Sequence, residues 1–357
     1  MMKWLSDLWT ENHWFRVVVG VLIVGNVVPG LVAFLVWLER RVAAWIQDRV
    51  GPNRVGPFGL LQSIADLVKF IFKEDVTPEH VNKPLFLLAP ALAVIPPLVV
   101  MAFIPFAKDL FIADVDTGVL AVFAFSSIGV YALALGGWAS NSKYALIGGV
   151  RASAQMISYE ICLGLAALAA VTCAGTLNLR QIVMDQSDGI HWAGKLVPHW
   201  WAYVLDWNIC KQPVGAVIFM VAGFAETNRL PFDLPEAESE LAAGYHTEYS
   251  SMKFALFFLG EYAAMVAMSS LFVTIYLGGW TLFGVENSFA GSPVLQTALQ
   301  VVIFVGKIMA LLFFFIHIRW TLPRFRYDQL MRLGWSRLIP LSIGWFVVTV
   351  VGKELLR

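Results

Sequence analysis

Eight stretches of this chain are long and apolar enough to be read as membrane crossings, and they restrict the fold more than any motif does. A helix needs about 20 mostly apolar residues to cross a hydrocarbon core of about 30 Å. On that rule spans fall near 17–38, 85–106, 118–138, 150–174, 212–227, 252–280, 295–318 and 338–353. The expected fold class is an all-α integral membrane protein, one polytopic domain over residues 1–357. Composition agrees: 14% of residues are charged, against about 25% in a soluble domain.

The first run, 22 residues over 17–38, ends at Glu39-Arg40-Arg41. A signal-peptide core covers about 7–15 residues before a small-residue cleavage site, so this run is expected to remain as the first span. Zero net charge gives no hint of nucleic-acid binding. Cys162, Cys173 and Cys210 form no pair or Cys/His cluster at metal-ligand spacing, which argues against zinc, iron–sulfur or a disulfide framework.

Loop charge sets the expected orientation. With the 39–84 loop on the cytoplasmic side, inner segments hold 16 Lys/Arg and outer segments eight. That bias fits the positive-inside rule and puts both termini outside. The outer 175–211 loop carries His191, Trp192, His199, Trp200, Trp201 and Trp207, and its indoles are expected to form an interfacial aromatic belt.

Residues 58–73 do not qualify as a span. Gln62, Asp66, Lys69 and Lys73 make one helical stripe opposite Leu60, Leu61, Ile64, Leu67, Val68 and Ile71. Such a helix lies along the membrane surface, either as a passive anchor or as part of a site. The preceding GPNRVGP (51–57) reads as a turn-rich stretch. Pro84, Pro90, Pro96, Pro97 and Pro105 predict a kinked second span.

Three ionisable residues, Glu160, Glu261 and Lys307, enter from three different spans. Counted from the nearest flanking charges at 1.5 Å per residue, they lie roughly 12–18 Å deep. Charges at that depth are costly and usually face a polar interior. They could form one hydrated proton or ion path, or a structural ion-pair cluster. Glu226 ends a short span, and Asp233, Glu236, Glu238 and Glu240 follow in an acidic cytoplasmic loop (228–251). Clustered carboxylates push some pKa values upward into the range useful for proton transfer; otherwise the run is a solvated face.

Four stretches then carry a family resemblance: ERRVAAWIQDRVGPNRVGPFGLLQSIADLVKFIFKE (39–74), SKYALIGGVRASAQMISYE (142–160), GFAETNRLPFDLPEAESEL (223–241) and WTLPRFRYDQLMRLGW (320–335). They resemble the H-type membrane subunit of bacterial proton-translocating NADH:quinone oxidoreductase, respiratory complex I, over about residues 15–350. Ser63 and Ser336 depart from residues common in that family.

The resemblance implies a subunit at the junction of the peripheral and membrane arms. It would form much of the quinone tunnel and part of the proton route, and would hold no redox centre. NADH, FMN and iron–sulfur clusters would belong to partner subunits, with quinone as substrate and lipid as surroundings. It maps the tunnel and its mouth onto Glu39, Arg40, Arg54, Asp66, Lys69 and Phe232. The acidic route maps onto Glu160, Glu226, Asp233, Glu236, Glu238, Glu240 and Glu261; Lys307 joins them by its depth in the membrane. A bacterial inner membrane is the location implied. Two other readings remain: a stand-alone proton-coupled transporter, which would commonly show paired repeats, and a scaffold for other membrane subunits, in which the acids would tolerate amide substitution.

Overall fold

The computed structural model describes residues 13–187, 191–192, 195–196, 205–234, 243–282, 284–285 and 292–355. The helices are α1 (His13–Ile46), α2 (Gln62–Phe72), α3 (Lys83–Phe103), α4 (Gly118–Ser126), α5 (Ile128–Ala139), α6 (Lys143–Ala174) and α7 (Leu179–Asp185). After them come α8 (Asn208–Lys211), α9 (Pro213–Glu226), α10 (Ser251–Tyr276), α11 (Pro293–Thr321), α12 (Tyr327–Leu333) and α13 (Ile339–Leu355). A two-residue strand pair, β1 (His191–Trp192) and β2 (Lys195–Leu196), is the only sheet among the described residues. Seven helical segments have the length and apolarity to cross a membrane, α4 with α5 and α12 with α13 each counting as one, and α9 is a shorter apolar helix. The protein is an all-α integral membrane protein.

Several boundaries differ from the sequence expectation in an instructive way. The first helix does not stop at Glu39 but continues to Ile46, so Glu39, Arg40 and Arg41 lie on it. One turn presents them in different directions: Glu39 is buried and Arg40 exposed. Likewise α6 begins at Lys143, about two turns before 150, and carries Arg151 within it.

The centre of the bundle is α6, which packs against α5, α9 and α13. Its buried positions are mostly small: Gly148, Gly149, Ala152, Ala166, Ala167, Ala169 and Ala170. Small residues let helix backbones approach closely where the hydrophobic effect gives little drive between helices in lipid. At the α5–α6 crossing a Cβ on Gly149 would come within 2.8 Å of the Leu133 carbonyl oxygen. The helix ends on Gly175 in the left-handed region, whose N–H donates to Val171 O at 2.8 Å. Lys353 of α13 donates to the last carbonyls, Thr172 and Cys173, tying the C-terminal helix to this end.

The second packing axis is α3 against α10. Rather than breaking, α3 runs uninterrupted through Pro90, Pro96 and Pro97. Pro97 has no N–H for the Ala93 carbonyl one turn earlier. That carbonyl faces Gly260 of α10, where a Cβ would collide with it. The glycine thus admits the proline-modified helix at close range, beside Glu261.

Candidate functional site

Four segments converge on one buried charged group. From α1 comes Glu39, from α10 Glu261 and Tyr262, and from the end of α11 Arg319. The loop after α9 supplies Arg229 and Asp233. Arg229 Nε lies 2.8 Å from Glu261 Oε1, and Arg229 Nη1 lies 3.9 Å from Glu39 Oε2. Glu39 also accepts from Arg319 through Oε1, and from the Tyr262 hydroxyl through Oε2 at 2.5 Å. The Arg229 guanidinium carbon sits 4.1 Å from the centre of the Tyr262 ring, a cation–π contact worth most when desolvated. Beyond it Arg324 donates to Asp233 Oδ2 at 3.0 Å. Three acids therefore meet three arginines, which is how a protein can keep such charges out of water.

Burial opposes the charge on Arg229, but Glu261, Tyr262 and Glu39 outweigh it and hold the guanidinium charged above its usual range. For Asp233 the balance is opposite: burial pushes its carboxyl up, only partly offset by Arg324, Arg319 and Arg229. Arg229 Nη2 and Asp233 Oδ1 have no hydrogen-bond partner among the described residues.

Side chains of α6 fasten the loop that carries Arg229. Gln155 Nε2 donates to Ala225 O at 2.7 Å and Phe232 O at 2.8 Å, with Asn228 Oδ1 3.2 Å away, and Asn228 Nδ2 lies 3.6 Å from Met156 Sδ. Asn228 takes a left-handed conformation, φ 50°, which Asn tolerates better than most residues. Phe232 is buried, stacked on Phe325 at 5.5 Å and tilted against Tyr159 at 5.8 Å. Its ring packs the loop down. Gln155, Tyr262, Arg319 and Arg324 were not expected at the site from sequence, although the last lies in the WTLPRFRYDQLMRLGW stretch.

A cavity of about 100 Å³ adjoins the charged group. Its polar end holds Glu226, Thr227, Asn228 and Glu261, and its apolar wall comes from α3, α4, α5, α6 and α10. That polar end has room for water. Glu226 is 9% exposed, and its Oε2 has no hydrogen-bond partner among the described residues. Glu160 accepts from Ser127 Oγ and is near enough to Glu226 for their charges to interact. His246 stands beside the cavity residue Tyr245, and burial lowers its pKa to about 4, so it brings no positive charge there at neutral pH.

Lys307, expected with Glu160 and Glu261, meets backbone carbonyls just past the end of α10. Its ammonium donates to Leu277 O at 2.5 Å, Gly279 O at 3.1 Å and Thr281 O at 2.5 Å, and lies 4.2 Å from the Trp207 ring centre. Like Glu160, it is not among the residues lining the cavity. Trp207 is correspondingly buried, so it forms no part of an outward-facing belt. Of the other belt residues, His199, Trp200 and Trp201 lie outside the described residues, as do Glu236, Glu238 and Glu240 of the acidic loop.

At the C-terminal end of α1 the amphipathic helix α2 docks alongside. Arg40 Nη1 pairs with Asp66 Oδ2 at 2.6 Å, Ser63 Oγ donates to Ala33 O at 2.6 Å, and Trp37 Nε1 donates to Phe58 O at 3.1 Å. Lys69 and Arg54 are exposed on the same edge. Among the described residues no three His, Cys, Asp or Glu side chains gather as a metal site.

Comparison with known proteins places these features in a family. A profile described as NADH dehydrogenase matches residues 19–350. NADH-quinone oxidoreductase subunit 8 of Rhodothermus marinus is 45% identical, over 97% of this chain and 98% of its own. The H-type NADH-quinone oxidoreductase subunit of Salinibacter ruber is 45% identical over 98% of this chain and 97% of its own. Its namesake in Rickettsia bellii is 48% identical over 96% of each.

Proposed function

The chain belongs to the NADH dehydrogenase family, and from that membership we propose that it acts as the H-type membrane subunit of NADH:quinone oxidoreductase. In this reading it forms much of the quinone tunnel and the first part of the proton route. Electrons come from NADH through FMN and iron–sulfur clusters in partner subunits, and this chain holds no redox centre. Its partners are the quinone-module subunits of the peripheral arm and neighbouring membrane-arm subunits. Both termini face the outer side of a bacterial inner membrane, which keeps α2 and the acidic loop on the side of the electron donor.

The observation that carries the proposal is the double membership of Glu261. Its carboxylate pairs with Arg229 inside the charged group and also lines the cavity that holds Glu226. Arg229 in turn is shared with Glu39 on α1, the helix that pairs with α2 through Arg40 and Asp66. Quinone reduction takes up two electrons and two protons, which changes the charge near the tunnel. A change felt at Glu39 or Arg319 alters the pull on Arg229, and that alters how well Glu261 is neutralised. Coupled carboxylates respond to such a change by shifting protonation. Glu226 and Glu160 then continue the route inward, while Arg40, Asp66, Arg54 and Lys69 form the tunnel mouth. Phe232 serves by packing the loop.

The test compares two activities in membranes holding the whole complex. Glu261→Gln, Glu236→Gln and Glu240→Gln are each expected to lower quinone-coupled NADH oxidation and proton pumping several-fold. NADH oxidation with a water-soluble acceptor should persist, because it bypasses this chain. Normal pumping in all three amide variants would show that the acids are a solvated face or a scaffold, and the proposed route would be wrong.

A further inference from the structure

The span 118–139 is built from two helices, with Ser127 at the joint between α4 and α5. The Ser127 hydroxyl meets two acceptors, the Phe123 carbonyl at 2.8 Å and Oε1 of Glu160. A hydroxyl has one proton to donate and lone pairs to accept on. It therefore cannot donate to both at once. When Glu160 is ionised, Ser127 gives its proton to the carboxylate and releases Phe123. When Glu160 carries a proton, it donates to Ser127 Oγ, and Ser127 donates onward to Phe123 O. The Phe123 carbonyl tolerates either state, since Ser126 Oγ at 3.0 Å and the Ser127 N–H at 3.1 Å also donate to it.

We propose that Ser127 is a positioning residue for proton transfer: it holds the Glu160 carboxyl and exchanges its own bond between Glu160 and Phe123 O as Glu160 gains or loses its proton. The inference rests on the reading that Glu160 belongs to the proton route. Another titratable group near Glu160 is Glu226 from α9, and Tyr159 and Cys162 flank Glu160 on α6 itself. The last two are engaged elsewhere, Tyr159 donating to Leu330 O and Cys162 to Ser158 O. Ser127 is thus the side chain that meets the Glu160 carboxyl from the α4–α5 joint.

The experiment measures quinone-coupled NADH oxidation against pH in the assembled complex, normalised to the rate with a water-soluble acceptor. Losing one hydrogen bond to a titrating group should slow Ser127→Ala roughly two- to tenfold and displace its pH profile by about 0.5–1 unit. Ser127→Thr, which keeps the hydroxyl, should restore rate and profile. In a Glu160→Gln background, Ser127→Ala should cause no further displacement. If Ser127→Ala does not assemble, Ser127→Cys carries the same test through its weaker donor. A slower rate with an undisplaced profile, or a displacement that persists in the Glu160→Gln background, overturns the proposal. Glu160→Gln alone separates the two levels. Normal pumping in that variant overturns the route and this inference together. Impaired pumping with an undisplaced Ser127→Ala profile overturns this inference only.

Discussion

Arg229 Nε lies 2.8 Å from Glu261 Oε1, with 4% and 13% of the two side chains exposed. The pair ties a loop to a membrane helix, and the same guanidinium also reaches Glu39 at 3.9 Å. Removing one partner of a buried pair leaves an uncompensated charge, at a cost of about 3–5 kcal/mol. Arg229→Gln strands Glu261, while Glu39 keeps Arg319 and Tyr262; Glu261→Gln leaves Arg229 with Glu39. The arginine variant is therefore expected to be the less stable, and the double variant to recover part of the loss. A double-mutant cycle on thermal stability of the purified complex checks this. Simple additivity would mean that the two side chains do not act as a pair.

The Arg40–Asp66 bridge is different in kind, because 46% and 26% of its side chains are exposed. Exposed ion pairs contribute only about 0–1 kcal/mol to stability. Arg40→Ala and Asp66→Asn should leave assembly intact and raise the apparent quinone KM, or weaken inhibitors that occupy the tunnel. Unchanged quinone kinetics in both variants would remove these two residues from the mouth.

Gly260 offers a prediction about packing alone. A methyl group there meets the Ala93 carbonyl, and forcing extra volume into a packed interface costs about 1–3 kcal/mol. Gly164→Ala is the matched control, since its added Cβ would have nothing within 4 Å. Melting of the two variants in the same detergent should separate them, with Gly260→Ala the lower. Equal melting temperatures would show that α3 and α10 can move apart freely.

Lys307 is expected to act through structure. Lys307→Met empties the carbonyl cage at Leu277, Gly279 and Thr281 and should reduce the yield of assembled complex. In the complex that does assemble, protons pumped per NADH oxidised should match the parent protein. A lowered ratio would return Lys307 to the proton route.

Much of this protein was legible in the chain. Length and apolarity located the membrane helices, because crossing a bilayer is a requirement each segment meets by itself. The polar stripe of Asp66 and Lys69 identified the amphipathic helix α2 for the same local reason, and the long motifs pointed to the family. The placement of Glu160, Glu261 and Lys307 on apolar helices was legible too. Direction was not. Which way a side chain points depends on how its helix is rotated against its neighbours, and only packing decides that. Gly260 on α10 meets α3 beside Glu261, which turns toward Arg229, while Lys307 turns toward the 277–281 carbonyls. Arg319 and Arg324 escaped notice because basic residues flanking a membrane helix already have an explanation in membrane orientation. Tyr262 and Glu39 are 223 positions apart, and Arg319 and Glu39 are 280. No local pattern encodes such pairings; they exist because charges withdrawn from water must find partners wherever the fold brings them together.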